Sequence, residues 1–296
     1  MEIKFDSDKQ FYISGESIKG TITLKVKEPT LIYNLKIKCN LSSSYSMLDT
    51  LTNNKGKHTN KYVKYEVYNH TFEQVITHNN TIDSLYSWSF EFKLPDDLLP
   101  TFFKIFQDFY YVCLGYNEII CEIFKNGSTL TTTKLFKSLN KKFICNKELS
   151  NINFNVTKTY NSDNFIVLNC FLDNNIYRIG DNIPIYIKLD NSSKKNIKAF
   201  TISLYQLITL KSPISKLSYQ KQIYISSQSY NNKTCEFFFP IRPHTEFNGT
   251  LNYKLPFNLV ESINNPWFDL TYILVVEANI KWSLNLLCQS TINLYS

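Results

Sequence analysis

A chain of 296 residues with 32 Lys and Arg against 25 Asp and Glu carries a net charge of +7 at pH 7. Hydrophobic residues make up 43% of it and charged ones 19%, which excludes a disordered tail protein, and the length suits two domains, each with its own core. Its 22 Phe and 20 Tyr sit among Ile, Val and Thr, residues that suit a pleated, half-buried surface, so the composition leans to β.

From the N-terminus, Met1–Asp6 shows no apolar run preceded by basic residues, and no secretory signal is expected. Ser17–Val26 alternates with period two, placing Ile18, Ile22, Leu24 and Val26 on one face and Lys19, Thr21, Thr23 and Lys25 on the other. Pro29 marks a turn, and Leu31–Cys39 repeats the alternation with Leu35, Ile37 and Cys39 inward. Lys55, Lys57, Lys61 and Lys64 surround a polar loop. Trp88–Leu94 is a further alternating strand, ended by Pro95 and followed by Asp96-Asp97, a pair that a turn explains better than acid/base chemistry does. Lys137, Lys141 and Lys142 form a second basic group, and Asn146–Asn153 lacks periodicity and reads as a linker, with the domain boundary near residue 150. The two domains expected are 1–150 and 151–296.

The second half echoes the first. Tyr12-Ile-Ser-Gly15-Glu16-Ser-Ile18 returns as Tyr177-Arg-Ile-Gly180-Asp181-Asn-Ile183, and each copy leads into an alternating strand. Glycine permits the tight turn, the acid accepts local backbone bonds, and Ile opens the next core-facing row. Strands recurring about every ten residues predict two antiparallel β-sandwiches of immunoglobulin-like form rather than helices alternating with a parallel sheet. Leu270–Val276, among the longest apolar runs, is far short of the roughly 20 residues that span a bilayer, so the chain reads as soluble and cytoplasmic.

Chemistry is expected to be absent. The seven Cys are scattered without a Cys-x-x-Cys and read as buried free thiols. His58, His70, His78 and His244 have no metal-site spacing, and surface or strand-edge positions suit His70 and His78. Seven Gly leave little material for phosphate cradles, and no Gly-x-Ser-x-Gly elbow occurs. No sugar-binding aromatic platform or Ca²⁺ carboxylate loop is visible in the sequence, and no basic run is interleaved with aromatics as a nucleic-acid surface needs. The expectation is a protein that is not an enzyme, with no cofactor and no metal.

Four stretches resemble the arrestin superfamily, and within it the arrestin-domain-containing (α-arrestin) group: Tyr12–Ile22; Phe90-Glu-Phe-Lys-Leu94-Pro95-Asp-Asp-Leu-Leu99-Pro100-Thr-Phe102; Tyr177–Asp181 running on to Asn191–Ile197 and Leu204-Tyr-Gln206; and Phe268–Ala278 with Ser290–Leu294. They occur in the family's order over nearly the whole chain. The resemblance implies the arrestin fold and an adaptor or scaffold for membrane-protein cargo or trafficking components in endocytic and endosomal sorting. The related vacuolar protein sorting subunits of an endosomal retrieval coat are the alternative, and an unrelated structural sandwich is a third. The implied partners are receptor tails, coat or ubiquitin machinery, and a weak contact with anionic lipid that would leave the protein peripheral on a membrane. By family position Lys4 and Lys9 are candidate phosphate contacts, and Lys194, Lys195 and Lys198 form a further candidate cargo or phosphate site. The chain departs from phosphate-triggered members in having only Arg178 and Arg242 as arginines, and in no tail being expected beyond the closing strand. It has no Pro-Pro, so the Pro-Pro-x-Tyr route to ubiquitin ligases is not expected.

Overall fold

The computed structural model describes residues 1–7, 9, 11–52, 56, 58–107, 110–139, 150–161, 163–234 and 239–295, with side chains left undescribed at 103, 105–107, 110–114, 139 and 265. The described residues form strands and turns, with no helix among them. The chain divides into two compact units, Met1–Cys145 with Ser212–Leu217, and Asn146–Lys211 with Ser218–Ser296.

Unit 1 contains β1 (Glu2–Phe5), β2 (Tyr12–Ile13), β3 (Ser17–Lys25), β4 (Thr30–Thr52), β5 (His58–Ile82), β6 (Leu85–Lys93), β7 (Phe102–Gln107), β8 (Tyr110–Lys125), β9 (Ser128–Phe136) and β10 (Ser138–Leu139). One sheet has the order β1-β3-β6, and a second runs β5-β4-β8-β7 with β9 also on β8; the short β10 and β2 pair in parallel. The predicted alternation holds: Ile18 and Ile22 of β3 and Leu35, Ile37 and Cys39 of β4 are fully buried, and Trp88, Phe90 and Phe92 of β6 nearly so. Inward rows from both sheets share one core with Ile119, Cys121 and Ile123 of β8, so the sheets pack face to face. Burying each such side chain stabilises the unit by about 1.5–3 kcal/mol.

The strand predicted to end at Cys39 continues to Thr52, making β4 and β5 one long antiparallel hairpin with bulges at Ile32/Asn34 and Ser43/Ser44. Ser42–Ser44 hides this continuation, because three serines break the apolar alternation while the ladder runs on through them. His70 and His78 both lie within β5, where His78 packs edge-on to Tyr86 and Trp88, with centroids 4.8 Å and 5.5 Å away.

Near the far end of this hairpin Asp49 is fully buried. Its carboxylate accepts hydrogen bonds from the hydroxyls of Tyr65, Ser212 and Ser215 and from the Thr50 amide. Burial pushes the carboxyl up, but the bonds from Ser212, Ser215, Tyr65 and Thr50 outweigh it and hold it below the ordinary carboxylate range. Ser212 also accepts from the amides of Ile214 and Ser215, so one charge organises the Ser212–Leu217 segment within unit 1. The expected split at residue 150 is contiguous in sequence, whereas unit 1 includes this later segment.

Unit 2 contains β11 (Ile152–Asn161), β12 (Asn164–Leu172), β13 (Ile176–Arg178), β14 (Asn182–Asn191), β15 (Ile197–Lys211), β16 (Ser218–Tyr230), β17 (Thr245–Lys254), β18 (Ile263–Asn265), β19 (Phe268–Ile280) and β20 (Leu286–Tyr295). A four-stranded sheet, β11-β12-β14-β17, faces a six-stranded one, β13-β20-β19-β15-β16 with β18 on β19. Leu168, Ile185 and Leu189 on one side and Phe200, Leu204, Leu274 and Val276 on the other are fully buried. The predicted linker Asn146–Asn153 runs into β11 at Ile152, and its residues 146–149 lie outside those described.

The sequence echo is a structural one. Tyr12 and Tyr177 are both buried, and each short strand pairs in parallel, β2 with β10 and β13 with β20 at the edge of the six-stranded sheet. Gly15 (φ 83°) and Gly180 (φ 87°) take the left-handed conformation that the turn requires. The acid after each glycine donates its amide back across the turn, Glu16 to Ile13 O at 3.0 Å and Asp181 to Arg178 O at 3.0 Å. The carbonyls of those two acids then accept from the leucine of a Leu-Pro corner, from Leu94 at 2.8 Å and from Leu255 at 2.9 Å. A Cβ on Gly15 would meet Asp96 Oδ1 at 2.5 Å, and one on Gly180 the Phe257 ring at 2.5 Å. Gly15→Ala and Gly180→Ala are each expected to cost about 1–2 kcal/mol from the backbone conformation alone. Gly127→Ala shares the positive φ but meets nothing within 4 Å, so urea denaturation should show it as the mildest of the three.

Candidate interaction surfaces

The five candidate lysines fall in two places. Lys4 lies on β1, the edge of its sheet, 3.6 Å from Glu2, and both side chains are about two-thirds exposed. Such an exposed pair is worth little and leaves Lys4 available to an anion. Lys9 instead reaches Glu16 Oε1 at 3.2 Å, while Glu16 Oε2 accepts from the Ile13 amide at 3.0 Å. Lys9 is therefore tied into the Gly15 turn, and among the described residues it shares no acidic partner with Lys4, which pairs with Glu2.

Lys194 and Lys195 sit in a loop organised by Asn191, itself fully buried. Asn191 Nδ2 donates to Lys195 O at 2.9 Å and Arg242 O at 2.8 Å, and its Oδ1 accepts from the Ser193 hydroxyl at 2.6 Å. The buried asparagine closes the loop as an Asx turn, and its lysines are left to face outward. Lys194 and Lys198 are exposed and Lys195 is half-buried, and none of them makes an ion pair among the described residues. Of the remaining basic groups, Lys61 and Lys64 are exposed on β5, whereas Lys55, Lys57, Lys141 and Lys142 lie outside the described residues.

Beside this loop lies a feature that the sequence reading missed. The Lys281 amide donates to Asn196 O at 2.9 Å, which sets the turn joining β19 and β20 against the Asn191–Ile197 loop. Trp282, with φ 57°, is 85% exposed there and Leu284 is 84% exposed. Ile280 N bonds Asn285 Oδ1 at 3.1 Å, and Ser283 Oγ is held by Lys158 Nζ at 3.1 Å and bonded to the Tyr160 hydroxyl at 3.1 Å. The turn is thus held at its base while two large apolar side chains stand in solvent beside lysines. Lys281-Trp-Ser-Leu between two apolar strands was the available signal, but only the fold shows that both side chains point outward.

Two open grooves lie among the described residues. In unit 1, a pocket of about 590 Å³ is lined by Tyr68, His70, Phe72, Lys93, Leu94 and the turn at Pro95–Asp97. Burial and the nearby Asp97 raise the Tyr68 pKa, so its hydroxyl stays protonated at neutral pH. In unit 2 a groove of about 290 Å³ crosses the outer face of the four-stranded sheet. Phe171 and Tyr186 stand opposite each other there with ring centroids 5.7 Å apart, and the Tyr186 hydroxyl donates to Asp173 at 2.9 Å. The sequence shows no such aromatic pair, because the two residues meet only through the register of β12 with β14.

Cys39, Cys121, Cys170 and Cys288 are free and buried, as expected, whereas the Cys113 side chain, Cys145 and Cys235 lie outside what the structure describes. Burial pushes Cys39 up to about 12, and burial with the neighbouring Glu122 does the same for Cys121, so both remain thiols at neutral pH. Among the described residues no three His, Cys, Asp or Glu side chains gather as a metal site would need. No helix among them is long and apolar enough to cross a membrane.

Family comparison agrees with this architecture. The model described as Arrestin (or S-antigen), N-terminal domain matches residues 1–127. The one described as Arrestin (or S-antigen), C-terminal domain matches 162–296. No curated protein matches the chain. Members of the matched family are generally non-enzymatic adaptors that bind proteins. With both arrestin domains matched in order on two β-sandwich units, the chain belongs to the arrestin superfamily.

Proposed function

We propose that this protein is a non-enzymatic adaptor of the arrestin-domain-containing group, working in the cytoplasm and peripherally on endosomal or plasma membrane. It carries membrane-protein cargo or trafficking components through endocytic and endosomal sorting. The domains taken for this role are 1–150 and 151–296. The observation that carries the reading is the pair of arrestin domains matched over 1–127 and 162–296. Fold alone does not fix function, so the surfaces have to supply the binding. An extended cargo segment adds along the edge of β1 by displacing Lys134 Nζ, which holds Ile3 O at 3.1 Å; backbone groups then give affinity and Lys4 receives an acidic or phosphorylated side chain. The unit 2 end with Trp282, Leu284, Lys194, Lys198 and Lys281 rests on an anionic bilayer, the indole and leucine in the headgroup region and the lysines among the lipid charges.

Affinity capture of the intact chain from native lysate, with partners read by mass spectrometry, tests the adaptor role. Membrane receptors or sorting-coat subunits, recovered by the chain and weakened by Lys4→Glu, support it. One coat partner recovered in fixed stoichiometry through every wash would favour the retrieval-coat alternative. Soluble metabolic enzymes alone would sink both. The membrane contact has its own test, sedimentation with vesicles of phosphatidylserine in phosphatidylcholine. The double change Trp282→Ser with Leu284→Ser should cut the bound fraction at least about tenfold, since each buried CH₂ is worth about 0.8 kcal/mol. Equal binding by the double variant would remove the tip from the proposal.

A further inference from the structure

Unit 2 holds a pair of thiols that neither the fold nor the proposed adaptor role calls for. Cys170 lies on β12 of the four-stranded sheet and Cys288 on β20 of the six-stranded one, 118 residues apart in sequence. Both are buried, 3% and 5% exposed, and the Cys288 thiol donates to Cys170 Sγ at 3.5 Å. A second acceptor, Val276 O, stands 3.8 Å from the Cys288 sulfur on the neighbouring strand β19. The two sulfurs therefore already face each other across the gap between the sheets. Around them are strand residues on both sides: Phe154 and Ile187 flank Cys170 in register, and Val276 is opposite Cys288. No other described cysteines stand so: Cys39 and Cys121 share the unit 1 core, where the Cys121 sulfur is 3.7 Å from Met1 Sδ.

We infer that Cys170 and Cys288 are a redox pair, which peroxide closes into a disulfide joining the two sheets of unit 2. One sulfur, as thiolate, attacks the O–O bond of hydrogen peroxide, becoming a sulfenic acid and releasing hydroxide, which takes the lost proton and leaves as water. The second thiol then displaces the sulfenic oxygen, forming the S–S bond and releasing a second water. Overall two thiols lose two protons and two electrons, and one peroxide takes them up to become two waters. The sulfurs stand 3.5 Å apart, and rotation about the Cα–Cβ bond of each cysteine carries them toward the roughly 2.05 Å bond. Immunoglobulin domains staple their two sheets with a buried disulfide between facing strands, and this pair occupies the same kind of place. The hydrogen bond from Cys288 and then burial keep Cys170 protonated, so the pair stays reduced without oxidant and reacts when peroxide meets a transient opening of unit 2. Once closed, the bond ties a 118-residue loop and removes that opening.

The test uses the full chain in two arms, one treated folded with hydrogen peroxide and one refolded from denaturant in the presence of peroxide. Each is denatured, alkylated, digested and analysed by mass spectrometry, and the melting temperature is followed in parallel. The expected result is a Cys170–Cys288 linked peptide, with two fewer alkylated thiols and a melting temperature raised by several degrees. Dithiothreitol should reverse all three. Cys288→Ala should lose the link and the thermal shift while Cys121→Ala keeps both. A 170–288 link in either arm that raises the melting temperature supports the inference. Recovery of both cysteines unlinked from both arms, or a link with no thermal effect, overturns it.

Discussion

Replacing Asp49 by Ala should unfold unit 1 at markedly lower denaturant concentration, with a loss of about 3 kcal/mol. Removing the carboxylate leaves the hydroxyls of Tyr65, Ser212 and Ser215 and the Thr50 amide without their acceptor in a buried place. Each buried donor left unsatisfied costs about 1–3 kcal/mol, and part of that is recovered as water enters. Asp49→Asn keeps one carbonyl acceptor but presents an amide donor to a cluster of donors, and should lie between wild type and Ala. The pH dependence has a definite sign. A carboxyl held below its ordinary value in the folded state contributes stability above the unfolded pKa of about 3.9, and loses it as pH falls through the folded one. Acid titration of wild type should therefore show a fall in stability beginning below about pH 4, and Asp49→Asn should flatten that part of the curve. An Asp49→Ala chain as stable as wild type would show that the cluster contributes nothing net.

Gly20→Ala is expected to be strongly damaging to unit 1. Gly20 sits in β3 opposite Phe5 of β1, and a Cβ there would lie 2.3 Å from Lys4 O and 2.7 Å from Cζ of Phe90. The ring can turn, but a backbone carbonyl in an edge ladder moves only if β1 lifts from β3. The cost should be about 2–4 kcal/mol, the range of overpacking with lost strand pairing. Hydrogen exchange at Glu2–Phe5 should accelerate well beyond the rest of the sheet. Because the proposed cargo strand adds beside β1, the same variant should lose cargo peptide even under conditions where unit 1 stays folded. Normal exchange along β1 in the variant would contradict the crowding argument.

Much of the fold was legible in one dimension because a strand with one buried face repeats every two residues. Ile18, Ile22 and Leu24, then Leu35, Ile37 and Cys39, then Trp88, Phe90 and Phe92 could be assigned inward before any contact was known. The Tyr-x-x-Gly-acid echo was likewise readable, since a left-handed turn demands glycine in place. Its docking partner in each unit, the Leu-Pro corner, is a recognisable motif only in the first; Leu255-Pro256 carries no sequence signal, and the bond from the Leu255 amide to the Asp181 carbonyl depends on the fold.

The surface and the buried polar groups were far less legible, and the reason is sequence distance. Asp49 reads as one more acid in a polar stretch, and nothing near it names Ser212 and Ser215, its partners 163 and 166 residues on. In sequence Lys9 is equivalent to Lys4, and only the fold places Glu16 against it. The exposure of Trp282 depends on a turn that sends it outward, and the Cys170–Cys288 contact on two sheets meeting face to face. Period-two patterning depends only on neighbours along the chain and survives as a local signal. Charge satisfaction, groove lining and thiol pairing depend on which strands become neighbours, and long-range packing decides that.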